Sequence, residues 1–171
     1  KNTIMAVTDI VHKLNLQMNR EFYSSNLCLQ LSSWCLENNL IDTANFLRSH
    51  AQGTVTLMMR FFDYLKKVGA NPVVTPVPPS TEEYSSLEDL FEQMIFDFRV
   101  RALSLAQIKE AALAQNDLPT LVFLQKIEQE QQRDGIELYA MLDRAKSAQK
   151  SGMCMKQTDH YLVQQQQAAA H

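Results

Sequence analysis

The segment NPVVTPVPPSTEEYS (residues 71–85) decides how the rest of the chain can fold. It holds four of the five prolines, so it cannot be helical. In an extended conformation, fifteen residues at ~3.1 Å each span ~45 Å, which is about the length of a ~28-residue helix. A connection this long inside a compact domain needs a reason. A bundle of two helical hairpins joined by one crossover along its length supplies that reason.

Apolar residues at helical spacing flank the crossover on both sides. They predict four helices, at about 9–38, 43–68, 87–115 and 118–150. Residues suited to cap or open the amino ends of these helices are Thr8 or Asp9, Asp42, Ser86 and Asp117. We therefore predict an all-α fold, a four-helix bundle with a long crossover between the second and third helices.

The chain beyond Gly152 is expected to add a short fifth helix at about 155–165. Its end, 164–171, has low complexity, and we expect the QQQQAAA run to be frayed or disordered. The whole chain, 1–171, is predicted to be a single domain.

Composition limits the classes of function. A net charge of −3 without a Lys/Arg-rich run argues against nucleic acid as a partner. Polar residues interrupt every apolar run, so neither a signal peptide nor a membrane span is expected. The three cysteines form no CxxC pair, which favours free thiols in a reducing cytoplasm.

One charged residue, Glu21, falls in what should be the buried stripe of the first helix. The stripe steps by fours and threes through Leu14, Met18, Glu21, Ser25, Cys28, Ser32 and Cys35. An unpaired ion out of water costs several kcal/mol, so a core glutamate needs a cation, a metal or a proton. From the residues alone, Glu21 could be a metal ligand or the partner of a Lys, an Arg or another buried donor.

Several segments carry a family resemblance: LNLQMNREFYSSNLCLQLSSWC, MMRFFDYLKKVGANP, EYSSLEDLF and QNDLPTLVFLQKIEQEQQ. Over most of residues 10–150 the chain resembles the bacterial non-haem ferritins. The resemblance implies a ferritin-like bundle, assembly into hollow shells of 24 subunits, and storage of iron as a ferric mineral. It also implies a di-iron centre inside each bundle, with ligands from all four long helices.

The resemblance implies that part of the di-iron ligand set is retained. Glu21 matches the glutamate of the first helix. Gln131 and Asp134 match a Gln-x-x-Glu pair of the fourth helix, and Glu130 matches an acid of a neighbouring third iron site. Residues three apart on a helix share a face, so such a pair can reach one ion.

The other ligand positions are lost. Thr54 and Leu57 stand where the family has Glu-x-x-His on the second helix, and Phe98 stands at the glutamate of the third. Asp97, adjacent to Phe98, is rotated by about 100° along the helix and is expected to face solvent. We therefore expect a degenerate centre that binds iron weakly, if at all.

The function expected from this resemblance is iron storage or iron homeostasis with weak or altered oxidation of ferrous iron. Two alternatives remain open. One is an active ferroxidase that uses rearranged ligands, and the other is a structural subunit that co-assembles with a complete ferritin. The shell is expected to be a homo-oligomer, or mixed with another ferritin.

The remaining side chains that could react or bind a metal are cysteines, methionines and histidines. Cys28 is expected to be a small buried hydrophobe rather than a redox or metal residue. The sequence MCM at 153–155 is a weak soft-metal candidate. The histidines at 12, 50 and 160 have no partner at ligand spacing and are expected at the surface or at helix ends.

Overall fold

The protein is described here by a computed structural model that covers residues 2–80 and 82–170. These residues form five helices and no strand, which confirms the all-α class with its crossover and C-terminal fifth helix. The helices are α1 (Asn2–Glu37), α2 (Ile41–Lys67), α3 (Leu87–Ala114), α4 (Leu118–Lys150) and α5 (Met155–Ala170). None of the helices in this described part is long and apolar enough to cross a membrane.

The predicted caps of the third and fourth helices are confirmed. The Ser86 hydroxyl accepts a hydrogen bond from the Asp89 amide at 3.1 Å, and the Asp117 carboxylate accepts one from the Thr120 amide at 3.2 Å. Each bond satisfies an amide that the first turn of a helix leaves without a partner.

The predicted start of the first helix is wrong, because α1 begins at Asn2 and already contains Thr8 and Asp9. The Asp9 carboxylate does not cap the helix. It pairs instead with Lys13 one turn later, with Oδ1 and Nζ 3.0 Å apart. Such an i,i+4 pair stabilises a helix interior, which explains how an acidic residue there is compatible with a longer helix.

The amino end of α2 is capped from a distant part of the chain rather than by Asp42. The Asp159 carboxylate, on α5, accepts hydrogen bonds from the amides of Thr43 at 2.6 Å and Asp42 at 3.3 Å. The Asp42 side chain lies near His160, with Oδ2 and Nδ1 3.2 Å apart. α5 therefore completes the first turn of α2.

The expected disorder of the C-terminal run is contradicted, because α5 continues to Ala170. Glutamine and alanine both have high helix propensity. The run is also fixed to the bundle where the Arg144 guanidinium donates to Gln166 Oε1 at 3.1 Å. Residue 171 lies outside the described residues.

The crossover is held against α1 by two asparagines one helical turn apart. Asn15 exchanges hydrogen bonds with the amide and the carbonyl of Val73. Asn19 donates to the same carbonyl at 2.8 Å and accepts from the Thr75 amide at 2.8 Å. These side chains supply the partners that an extended, proline-rich backbone cannot find within itself.

Three pairs of long helices pack side by side in the bundle. α1 packs on α2, α3 packs on α4, and α1 packs on α3. A groove lies between α2 and α4. The apolar core consists of two clusters, one that includes Cys28 and Phe91 and one that includes Met18 and Leu105.

Candidate functional site

A buried ion cluster lies between the two apolar clusters. The Arg101 guanidinium of α3 donates through Nη1 to Glu21 Oε2 at 3.1 Å and through Nε to Asp97 Oδ2 at 3.0 Å. The three residues are only 5%, 1% and 8% exposed. The charge of Glu21 is thus balanced by an arginine from another helix, which is one of the two possibilities that the residues left open.

Gln17 completes the cluster on the side of α1. Its Nε2 donates to Glu21 Oε1 at 3.1 Å and to the Arg101 carbonyl at 3.2 Å. Its own Oε1 is buried and has no hydrogen-bond partner among the residues that the structure describes. The cluster therefore contains one unsatisfied acceptor next to two carboxylates.

The electrostatic balance of the cluster is uneven, since one guanidinium faces two acids. Burial raises the pKa of Glu21, although Arg101 and the bond from Gln17 act in the opposite direction. Burial lowers the pKa of Arg101, but the carboxylates of Glu21 and Asp97 outweigh this effect and raise it. Arg101 therefore stays charged in the interior.

The expectation that Asp97 faces solvent is wrong. Asp97 and Arg101 are one turn apart on the buried face of α3, where each neutralises the other. That face follows a heptad-like spacing through Leu90, Met94, Asp97, Arg101, Leu105, Ile108 and Ala112, all of which are buried. Sequence reasoning missed Arg101, although this spacing and the i,i+4 pair were readable.

The groove between α2 and α4 has a volume of about 540 Å³ and brings together most of the predicted site residues. Thr54 and Leu57, which we expected to be lost ligand positions, border it from α2. Glu130, Gln131 and Asp134 border it from α4. Arg101 also borders this α2–α4 groove, whereas Glu21 does not. Arg101 thus lies between Glu21 and the other three candidate ligands.

The acids of the α2–α4 groove are in different electrostatic states. Glu130 Oε2 accepts from Arg60 Nη1 at 2.6 Å, so its charge is already compensated. Desolvation raises the pKa of Asp134, with Arg101 opposing the effect, and raises the pKa of Glu137, with Asp134 adding to it. Neither of these two acids forms an ion pair among the described residues.

Phe98, where we expected a glutamate to be lost, lies against two neighbours. A Cβ added to Gly135 of α4 would come within 2.6 Å of the Phe98 ring, so the ring occupies the space that any side chain there would need. The Arg101 guanidinium carbon also lies over this ring, 5.9 Å from its centre. Phe98 thus packs where it helps to keep Arg101 in place.

Two further residues near the ion cluster were not assigned to it from the sequence. Cys28 is buried, and burial raises the pKa of its thiol to about 12. His50, expected at the surface or at a helix end, instead borders the α2–α4 groove, and burial lowers its pKa to about 4. Both side chains are therefore neutral at pH 7.

Nothing in this arrangement forms a ready metal site. Within residues 2–80 and 82–170, no group of three or more His, Cys, Asp or Glu side chains is arranged to hold a metal ion. The position between Glu21 and Asp97 is filled by a protein cation instead.

Comparison with known proteins identifies the class to which this bundle belongs. The profile of the Ferritin family, described as a ferritin-like domain, matches residues 11–148, and the chain therefore belongs to the ferritin family. It is 46% identical over 159 residues to the bacterial non-heme ferritin-like protein of Escherichia coli (strain K12), covering 93% of this chain and 95% of that protein.

Two other relatives agree with this assignment. The bacterial non-heme ferritin of Escherichia coli O6:H1 is 37% identical over 148 residues, covering 86% of this chain and 90% of that protein. The solved structure of Chlorobium tepidum ferritin superposes with a TM-score of 0.80 at 32% identity, covering 82% of this chain and 86% of that one. Membership of this family is consistent with a role in iron storage.

Proposed function

We propose that this protein stores iron in the cytoplasm inside a ferritin-type shell of 24 subunits, and that its intrasubunit di-iron centre is degenerate. The storage role is supported by similarity to bacterial ferritins over almost the whole chain. The loss of the centre is supported by the residues that surround Glu21.

The observation that carries the proposal is the Arg101 guanidinium between Glu21 and Asp97. These carboxylate oxygens are the hard ligands that iron prefers, but here they accept hydrogen bonds from a fixed cation. An iron ion placed beside it would meet a like charge at short range in a poorly solvated site. The residues present therefore do not fit a di-iron centre, and we derive no oxidation step through one.

Weak metal binding is assigned to the α2–α4 groove. Gln131 and Asp134 border the groove, and Asp134 lacks an ion-pair partner among the described residues. Glu130 contributes less, because Arg60 already neutralises it. Because positions 54, 57 and 98 offer neither an acid nor an imidazole, such a site holds one cation loosely and gives slow oxidation of ferrous iron.

The experiment is aerobic addition of ferrous iron to the purified assembly, recording ferric absorbance and the iron retained per shell. We expect slow oxidation with iron retained. The variant Thr54→Glu, Leu57→His should still oxidise ferrous iron slowly, because Arg101 remains paired with Glu21. Adding Phe98→Glu and Arg101→Ala to that variant should accelerate oxidation.

Two results would contradict the proposal. Fast oxidation by the natural protein would mean that other residues build a working centre. A protein that neither assembles nor retains iron would have a role other than storage. Size-exclusion chromatography of each variant provides the control, since the rates are comparable only between assemblies of equal size.

A further inference from the structure

Arg101 borders two grooves on opposite sides of the bundle. One is the α2–α4 groove described above. The other, of about 460 Å³, lies between α1 and α3 and is bordered by Tyr23, Phe96, Asp97 and Arg101, among others. Since α1–α2 and α3–α4 pack as hairpins, the α1–α3 side and the α2–α4 side face in opposite directions. A single residue, 5% exposed, thus adjoins both grooves.

Carboxylates follow the line between the two grooves. Asp97 borders the α1–α3 groove, Glu21 lies in the interior, and Asp134 borders the α2–α4 groove. The unsatisfied Oε1 of Gln17 is buried beside Glu21 and adds a neutral oxygen to this line. Carboxylate and amide oxygens that follow one another between the two grooves suit a small hard cation such as a divalent metal ion.

We propose that the two grooves are the mouths of one passage across the bundle, that its carboxylates suit divalent cations, and that the Arg101 side chain closes it. Glu21 and Asp97 hold the guanidinium in position, and Phe98 packs on one side of it. The natural protein is closed at this point, so cations do not cross the wall of a subunit here. This inference does not depend on iron storage.

The rate at which Cys28 is modified reports whether a small molecule can enter the proposed passage. It is 1% exposed, and Arg101, Asp97 and Glu21 all lie close enough to influence its pKa. A small thiol reagent such as methyl methanethiosulfonate should reach it only when the passage is open. The Cys154→Ser background removes the exposed thiol, and mass spectrometry identifies the modified cysteine.

A matched pair of variants separates the effect of the volume of the Arg101 side chain from the effect of its charge. Both carry Glu21→Gln and Asp97→Asn, so that no unpaired charge is buried. One adds Arg101→Ala and the other Arg101→Met, which keeps an unbranched chain at that position. We expect the Ala variant to be modified at Cys28 about tenfold faster or more, and the Met variant to react as slowly as the natural protein. Circular dichroism checks that both remain helical.

Equal rates of Cys28 modification in the Ala and Met variants would contradict closure of the passage by the Arg101 side chain, whether both rates are fast or both are slow. The cation preference is tested with Co²⁺ alone, by equilibrium dialysis of the Arg101→Ala single variant, which keeps Glu21 and Asp97. We expect this variant to retain Co²⁺ and the neutral Ala variant to retain none beyond the natural protein. Equal retention by both would overturn the role of the carboxylates.

Discussion

The Phe98 ring of α3 lies directly against the backbone of Gly135 in α4, in the space that a side chain on residue 135 would fill. The two positions are therefore coupled. Residue 98 carries a bulky aromatic side chain, and the facing helix has no side chain at the point of contact. The coupling makes Phe98 part of the packing of the bundle.

Gly135→Ala should destabilise the protein by about 1–3 kcal/mol, because its methyl group would overlap the Phe98 ring. In a helix interior without such contact, the same change stabilises by about 1 kcal/mol. Gly53→Ala is the matched control, since a Cβ there meets nothing within 4 Å. Urea denaturation of both variants gives the comparison, and stabilisation by Gly135→Ala would contradict the packing described here.

Arg101→Met alone should cost about 3–5 kcal/mol, because it leaves two buried carboxylates without a cation. The variant that also carries Glu21→Gln and Asp97→Asn should recover most of that loss, since no buried charge remains. Chemical denaturation of both variants measures the difference. A similar loss in both would mean that Arg101 stabilises the protein by packing rather than by charge.

Protonation of His50 should lower the free energy of unfolding as the pH falls. Its pKa is lowered to about 4 by burial, with Arg101 adding to the effect, whereas the unfolded side chain titrates near the ordinary value of 6.5. Between these values the unfolded state binds more protons, so its contribution is present above pH 6.5 and lost toward pH 4.

The His50→Gln variant isolates this contribution. The difference in unfolding free energy between the natural protein and the variant should change by about 2 kcal/mol between pH 7 and pH 4, after allowance for partial exposure. Glu21 and the other acids affect both proteins equally and cancel in the difference. His160→Gln, at an exposed histidine, serves as the control. A flat difference curve for His50→Gln would contradict the lowered pKa of its ring.

Thiol titration of the native protein should detect one fast cysteine per chain. Cys154 is exposed, whereas Cys28 and Cys35 are buried and burial raises the pKa of each to about 12. Thiolate is the reactive form, so the two buried groups react slowly. Denaturant should release all three thiols. A second fast thiol under native conditions would show that the core around α1 is more open than described.

Much of the fold could be predicted from the sequence because its signals are local. The proline-rich crossover fixes how the hairpins connect, and the caps at Ser86 and Asp117 act within one turn of their helices. The start of α2 could not be predicted in the same way, because its cap, Asp159, comes from 116 residues further along the chain relative to Thr43. Long-range partners leave no local pattern.

The candidate site was only partly predictable. The seam through Glu21 indicated a buried acid and the need for a partner, and every residue of that seam is buried. The partner itself could not be predicted from the ligand positions that the family resemblance implies, because these fall on Phe98 rather than on Asp97 and Arg101. A charged pair within an otherwise apolar seam was the physical signal that identifies the cluster.

The contact between Asp159 and the start of α2 has a consequence for synthesis of the chain. Until residue 159 has emerged from the ribosome, the amides of Asp42 and Thr43 lack the carboxylate that accepts from them in the finished protein. The hairpin of α1 and α2 can form earlier, but its turn end stays incomplete. Residue 159 must therefore be synthesised before the first half of the protein is fully stable, and a ribosome that stalls before α5 would leave a subunit that frays at that turn.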